Sequence, residues 1–507
     1  MASIYQKSLV VYLILLSALL ISTFSYNYMF SDEGTHLLLS LFYKDLLNNL
    51  PTLGLSYTNI YNFGLEYLVH YPKLQIAYPP VFHLTNLIPF QAFGPSIFIA
   101  RIVNLLYAIG TFIAFYFLVK RFFNEKTALL STLFFSLSSY SLLYASRAFQ
   151  DFSAYFFIML SIFVFTKALE NQKTKHFLLL SITSALAILS KQISAILVIF
   201  IILYTLSTKN TKTKKIKNIA IFLIPLLLIL TPYLLILQKT GGLEINRIVA
   251  VNYAGQQGEP TSLIDPIFWL YFLIQPTFFA PFTILFIAFL AFYIYKKEKH
   301  WKEFLIFFLV MYIGLSMIPN KELRFSQLFL LPAYAVASSY LLKIKNKIAI
   351  PSVLIIYLFS SLLFFYPTIQ EYPQNKITEY LYKNLPAGSN IALFSDDEPL
   401  YSSVIISSLA SIDKDKKITI IRPCAFGNKT SDQISNLLEE SNTYFIVYSN
   451  WSNDKTIEKV KDDLSFNFSV SYNNLTSEIY TFKNFKNKKP EKLCNYICLT
   501  GEKICVG

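Results

Sequence analysis

The sequence predicts a polytopic α-helical membrane protein that ends in a small α/β domain, and three observations carry that expectation. The chain of 507 residues is 54% hydrophobic and 17% aromatic with only 15% charge, and its mean hydropathy is +0.47, whereas a soluble domain carries ~25% charge. Apolar runs near the ~20 residues that a bilayer span needs recur up to residue 366. From about Tyr372 the composition turns to mixed polar and apolar, with short strand-like runs alternating with helical patterns.

The first apolar run is 8–26. One base, Lys7, precedes it and no small-x-small cleavage pattern follows, so an uncleaved anchor is expected. The stretch Tyr26 to His36 then sets Asp32 and Glu33 a few residues past the membrane edge. A carboxylate there is either solvated on a loop or kept for a purpose, because losing water strongly destabilises it. His36 to Leu50 has the apolar spacing of an amphipathic helix, with Leu37, Leu38, Leu41, Phe42 and Leu46 on one face. The stretch from Tyr78-Pro-Pro to Phe90 is too apolar for a plain loop and is expected at the headgroup level. Further spans are expected at 97–119, 127–145, 149–167, 177–190, 192–207, 219–237, 271–295, 303–319, 325–342 and 349–366, which makes about eleven, with outer loops at 28–96 and 238–270.

Charge sets the orientation. The formal net charge is +14, but the bases do not form the patch that nucleic acid would select. They cluster in five short loops, at 120–126, 167–175, 209–217, 296–302 and 343–347, which alternate with base-poor loops. Positive-inside bias assigns those five to the cytoplasm, the lysine run 209–217 being read as a solvated loop. Asp32, Glu33 and the C-terminal domain are then outside, and the N-terminus is cytoplasmic. The expected division is a transmembrane domain, 1–370, and an extracytoplasmic α/β domain, 371–507.

That domain shows strand-like runs Asn390 to Ser395, Lys417 to Ile421 and Thr443 to Tyr448, with helical patterns at Ser431 to Glu440 and Thr456 to Leu464. Alternation of this kind suggests a largely parallel sheet. All four cysteines, Cys424, Cys494, Cys498 and Cys505, fall here, as do acceptor sequons at Asn428, Asn450, Asn467 and Asn474. An oxidising outer compartment favours two disulfides, for which three connectivities are open. His36 and His83 read as isolated polar anchors near the interface. No P-loop, dinucleotide fingerprint or compact metal-ligand motif is present, and no cofactor is expected.

A few charged residues stand out at the outer ends of the spans: Arg101, Arg147, Asp151, Lys191, Lys321, Glu322 and Arg324. Bases there are disfavoured without a partner. Arg147 and Asp151 have i, i+4 spacing and would pair on a common helix, and Arg324 has Glu322 beside it. Ion pairs of this kind are one reading. The other is a site for an anionic group carried by a lipid.

The order of these motifs resembles a family. Asp32-Glu33 after the first span, Tyr78-Pro-Pro, Phe93-Gly-Pro-Ser96 with Arg101, Arg147 with Asp151, Leu189-Ser-Lys191, and Glu322-Leu-Arg-Phe325 with Pro332 look like the GT-C membrane glycosyltransferases that use polyprenyl-phosphate sugars. Protein O-mannosyltransferases and the bacterial aminoarabinose transferase of lipid A are among them. The resemblance covers about residues 8–366. It implies catalysis by Asp32 with Glu33 in support, and donor-phosphate contacts from Lys191, Arg147, Arg324 and Arg101. Asp151, Glu322 and Tyr78 would support them. Two departures stand out: Lys191-Gln192 replaces the usual Lys-Gly, and Gly34, Thr35 and His36 stand where an arginine often follows the acidic pair. The implied partners are a polyprenyl-phosphate sugar, a protein, lipid or glycan acceptor, and membrane lipid. Oligosaccharyltransferases of the same class use a divalent metal, for which this chain shows no motif.

The chemistry agrees with the residues. An acceptor hydroxyl loses its proton as it attacks the anomeric carbon, so a carboxylate can serve as general base. Charge grows on the departing phosphate, which fixed Lys or Arg stabilises. One displacement inverts the anomeric centre. Two rivals stand beside this reading. A transporter or flippase of a lipid-linked glycan would place ionisable groups within the spans and often show inverted repeats. A non-catalytic surface protein would bind a partner through its tail.

Overall fold

The computed structural model describes residues 3–24, 29, 31–54, 56–71, 74–75, 78–239, 280–318, 323–346, 348–365, 374–387, 389–394, 402–412, 418–421, 430–449, 457–458, 460–472, 475–483, 485, 493–496 and 503–506. Glu322, Cys424, Cys498, Asn428, Asn450, Asn474 and nearly all of the loop 238–270 lie outside them.

In chain order the helices are α1 (Ile4–Thr23), α2 (Ser31–Leu53), α3 (Tyr57–His70), α4 (Val81–Thr85), α5 (Leu87–Phe93), α6 (Ile97–Phe122), α7 (Glu125–Ser136), α8 (Ser139–Ala145), α9 (Asp151–Asn171), α10 (Thr174–Ser190), α11 (Ile196–Ser207), α12 (Lys212–Lys239), α13 (Ala280–Tyr295), α14 (Trp301–Ser316), α15 (Ser326–Leu341) and α16 (Ala349–Phe365). Over their described parts, all eleven predicted apolar runs fall on these helices. Among the described residues α1, α6, α9 and α12 are long and apolar enough to cross a bilayer, and α7 with α8, bent by 69°, adds a fifth if the pair is one broken span. Several of the apolar helices are shorter: α10 has 17 residues and α14 and α15 have 16, or about 24–26 Å at 1.5 Å per residue.

Three helix boundaries differ from expectation. α1 begins at Ile4 because Ser3 and Gln6 form a capping box. α2 begins at Ser31, so Asp32 and Glu33 sit in its first turn and not on a loop. α12 begins at Lys212, inside the run taken for a cytoplasmic loop. Lysine is a good helix former, and most of these residues are exposed and keep their water.

Two compact units emerge, one made of Met1–Phe24, Ala77–Phe82 and Arg101–Ile369, the other of Ser25–Ile76, His83–Ala100 and Gln370–Gly507. In the first, α1 buries Leu9, Leu13, Leu16 and Leu20 and exposes Val10, Val11, Ile14 and Leu15. Lipid is as apolar as leucine, so close packing and hydrogen bonds must fix such a helix. The Tyr12 hydroxyl lies 2.6 Å from Ser136 Oγ on α7. Ser136 donates to the Thr132 carbonyl, so Tyr12 is the donor to it. The α7–α8 break is also held: Ser138 caps α8 through the Ser141 N–H, and Gln327 Oε1 on α15 accepts from both Ser138 and Tyr334. α11 and α14 approach closely at Gly314, where a Cβ would lie 2.8 Å from Ile196 Cγ2. Gly314→Val is expected to destabilise the detergent-solubilised protein by ~1–3 kcal/mol through overpacking, read as a lower thermal midpoint.

The second unit holds α2, α3 and α5 and a five-stranded sheet. Its further elements are α17 (Gln374–Asn384), β1 (Asn390–Leu393), α18 (Ser402–Ile412), β2 (Ile420–Ile421), α19 (Ser431–Glu440), β3 (Thr443–Ser449), β4 (Leu464–Tyr472) and β5 (Leu475–Phe482). The strand order is β2-β1-β3-β5-β4. β1 runs parallel to β2 and β3, but β5 is antiparallel to both β3 and β4. The sheet is therefore mixed, not largely parallel. The cause is the two-residue connection between β4 and β5, which permits only an antiparallel hairpin. The helix expected at Thr456 to Leu464 is replaced by a short 3-10 turn at Lys461–Asp463 leading into β4. Ala392, Phe394, Ile434, Leu438 and Ile446 make the core between sheet and α19. The chain closes with the hairpin β6 (Leu493–Tyr496) and β7 (Lys503–Val506), in which Cys494 and Cys505 are register partners.

Candidate active site

Within the first unit three separate segments converge on Asp151. It opens α9, where the positive end of the helix dipole favours an acid. Lys191 is the extended residue that ends α10, at the end where a cation is favoured. Arg324 lies in the 3-10 turn Leu323–Phe325 that leads into α15. Lys191 Nζ sits 2.6 Å from Asp151 Oδ1, and Arg324 Nη1 lies 3.5 Å from Oδ2. All three are buried, Asp151 at 1% exposure, Arg324 at 6% and Lys191 at 9%.

Aromatic faces complete the cluster. Lys191 Nζ stands 4.5 Å from the Phe325 ring centre, and the Arg324 guanidinium lies 5.1 Å from Tyr144 and 5.0 Å from Phe149. Such contacts stabilise a desolvated cation. Tyr155 fixes the turn by donating to the Arg324 carbonyl at 2.8 Å. The expected i, i+4 geometry of Arg147 and Asp151 does not hold, because α8 ends at Ala145 and α9 starts only at Asp151. Arg147 is wholly buried on the turn between them. Asn104 on α6 holds that turn with two hydrogen bonds of 2.6 Å, to the Tyr144 and Arg147 carbonyls. Arg101, 1% exposed, donates from Nη1 to the Phe24 carbonyl at 2.7 Å. Tyr78 is half-buried in the same unit. Among the described ion pairs two bases meet one acid here, and Arg147 lies buried on the adjoining turn.

In the second unit the first turn of α2 carries Asp32, half-buried, and Glu33, fully buried. Consecutive helical residues diverge by about 100°, which separates the two environments. One turn further on is a correction. His36 and His83, expected as isolated interfacial anchors, are 3% and 0% exposed, and His36 Nδ1 lies 3.1 Å from His83 Nε2. Beside them Asn86 Nδ2 donates to Ser40 Oγ at 3.3 Å, and Ser40 donates to the His36 carbonyl at 2.9 Å. A separation of 47 positions along the chain hid the pair from any local pattern. Among the described residues no group of three or more His, Cys, Asp or Glu is placed to hold a metal.

Comparison with known proteins follows the same lines. Residues 77–236 match the family model described as dolichyl-phosphate-mannose-protein mannosyltransferase. No curated protein matches the chain in sequence. Among solved structures, ArnT from Cupriavidus metallidurans bound to undecaprenyl phosphate superposes with a TM-score of 0.64 at 12% identity, over 94% of this chain and 98% of that one. Its apo state gives 0.63 at 12% identity, over 95% and 99%. The archaeal oligosaccharyltransferase AglB from Archaeoglobus fulgidus, in complex with an inhibitory peptide and a dolichol-phosphate, gives 0.54 at 10% identity, over 94% of this chain and 74% of that one. The chain thus has the GT-C fold, as its motifs implied.

Proposed function

We propose that the chain is a membrane glycosyltransferase that moves a sugar from a polyprenyl-phosphate donor to an acceptor on the outer face of the membrane. The observation that carries this reading is the buried Asp151–Lys191–Arg324 cluster, in which two bases meet one acid, in a chain of this fold. Arg324 offers a planar fork and Lys191 a point charge to a phosphate whose charge grows as it leaves. Arg147 and Arg101 lend further positive charge, and Tyr78, Asp151 and Glu322 support the site. Asp32, the less buried of its pair, takes the acceptor proton, Glu33 supports it, and a single displacement inverts the anomeric centre. The resident carboxylates and bases suffice for each of these roles. The N-terminus is cytoplasmic, and residues 371–507 form the outer domain.

The test incubates the detergent-purified protein with mannose, glucose or aminoarabinose carried on dolichyl or undecaprenyl phosphate, together with membrane acceptors. Release of the polyprenyl phosphate coupled to labelled acceptor is the expected result. Movement of intact donor across proteoliposomes without release would make the protein a transporter instead.

The register of the terminal hairpin bears on the outer placement. Directly opposed residues of an antiparallel pair have Cα atoms ~4.5–5.5 Å apart, inside the disulfide range. We expect Cys494 to be joined to Cys505, leaving Cys424 for Cys498. Peptide mapping without reduction reads this directly. Four free thiols in the unreduced, denatured protein would rule it out and would argue against an oxidising compartment.

A further inference from the structure

The His36–His83 contact exceeds what the fold needs there. α2 and the segment of His83 and Asn86 are already joined by the Asn86–Ser40 hydrogen bond, one turn from the histidines. An amide and a hydroxyl suffice for a structural tie. Two buried imidazoles facing each other through Nδ1 and Nε2 at 3.1 Å add something else. The two facing nitrogens can share only one proton, because two N–H groups cannot point at each other. The pair therefore exists as neutral–neutral or with a single extra proton, never as two cations.

Its place on α2 says which proton. Asp32 and Glu33 precede His36 by four and three residues on one helix, the spacings that put side chains on a common face. Glu33 is fully buried on that face. Beyond these two acids, the described elements that pack on α2 carry Glu66 and His70 on α3 and no charged residue on α5 and α18, and α2 itself carries Tyr43, Lys44 and Asp45. Burial raises the Tyr43 hydroxyl to about 12, so it stays neutral beside His83, with ring centres 6.5 Å apart.

We propose that His36 and His83 form a one-proton store behind Asp32. This rests on the glycosyl-transfer reading above. As the acceptor oxygen bonds to the anomeric carbon and the bond to the donor phosphate breaks, the hydroxyl proton passes to the Asp32 carboxylate. It then moves to the histidine pair, which becomes a shared monocation and restores Asp32 as a base. The pair releases the proton to water as the products leave. The histidines act through Asp32 and are positioning residues.

The test uses variants that keep the hydrogen bond and lose the titration. Asparagine places its amide where Nδ1 stands, and glutamine where Nε2 stands, so His36→Asn and His83→Gln retain the tie. With dolichyl-phosphate mannose as donor, each is expected to lower kcat about tenfold or more with KM for the donor within about twofold. In an Asp32→Asn background neither should lower it further. Nitrogen-15 NMR of histidine-labelled wild-type protein, without donor, should show the two rings titrating together in one one-proton step with a coupling across the N–H···N bond. Normal kcat in His36→Asn and His83→Gln, or a loss that adds to that of Asp32→Asn, overturns the store in favour of a structural tie. Independent titration of the two rings, or stoichiometric metal lost in these variants, overturns it as well. If the wild-type protein transfers no sugar from this donor, the kinetic arm counts against the reaction, and the NMR arm alone decides the store.

Discussion

Asp32→Asn is expected to slow sugar transfer by ~10²-fold or more, the usual worth of a positioned general base, while the protein still folds. The substitution keeps the shape of the side chain and removes only its ability to take a proton. Asp32 is half-buried at the start of α2, and the isosteric amide leaves no cavity. Donor affinity should hold, since the carboxylate acts on the acceptor. Glu33→Gln should slow the reaction less, because Glu33 is fully buried and supports the base. Its loss should register more in stability. Single-turnover rates on folded, purified variants read both. Wild-type turnover in Asp32→Asn would remove the catalytic assignment.

The second large effect belongs to the buried charge cluster. Lys191→Ala and Arg324→Ala, with Arg147→Ala as a third, should weaken binding of a polyprenyl-phosphate sugar and slow the chemical step. The same sugar without its phosphate should show no such loss. A purely structural cluster would behave differently: each variant would lose stability, and the surviving folded protein would bind donor normally. Asp151→Asn separates the two readings further. It removes the acid that Lys191 and Arg324 share in a buried setting, and removal of one partner from a buried ion pair costs about 3–5 kcal/mol. A phosphate-bearing lipid should restore part of that loss by mass action on the folded state. Unchanged donor affinity in all three alanine variants would remove the donor site from these residues.

How much of this was legible in the sequence depended on distance along the chain. Apolar runs report helices directly, and over their described parts all eleven fell on helical segments, with 127–145 split between α7 and α8. Their ends were less legible, because a capping box at Ser3 and a lysine-rich first turn at Lys212 extend helices past the apolar run. The roles of Asp151 and Lys191 as a polar pair needed a 40-residue leap. The sequence offered Arg147 four residues away, and that logic fails once a turn separates the two helices. The aromatic faces around Arg324 were hidden by abundance: with 47 phenylalanines and 35 tyrosines, no pattern marks Tyr144, Phe149 or Phe325. The β4–β5 hairpin was missed although Phe466, Phe468 and Val470 alternate and only Asn473 and Asn474 separate the strands; the preceding helical pattern outweighed that signal.

The short apolar helices have a consequence for where the protein can work. A hydrocarbon core is ~30 Å thick, and α10, α14 and α15, with 16 or 17 residues, reach only about 24–26 Å. For these helices to meet both faces, the surrounding bilayer must thin by several ångströms or the flanking side chains must stretch to its edges. Each ångström of mismatch costs a fraction of a kcal/mol. Membranes built from shorter acyl chains relieve that strain, and thick, sterol-rich ones increase it. Acyl-chain length alone, with every residue unchanged, becomes a setting for how well this protein holds its shape.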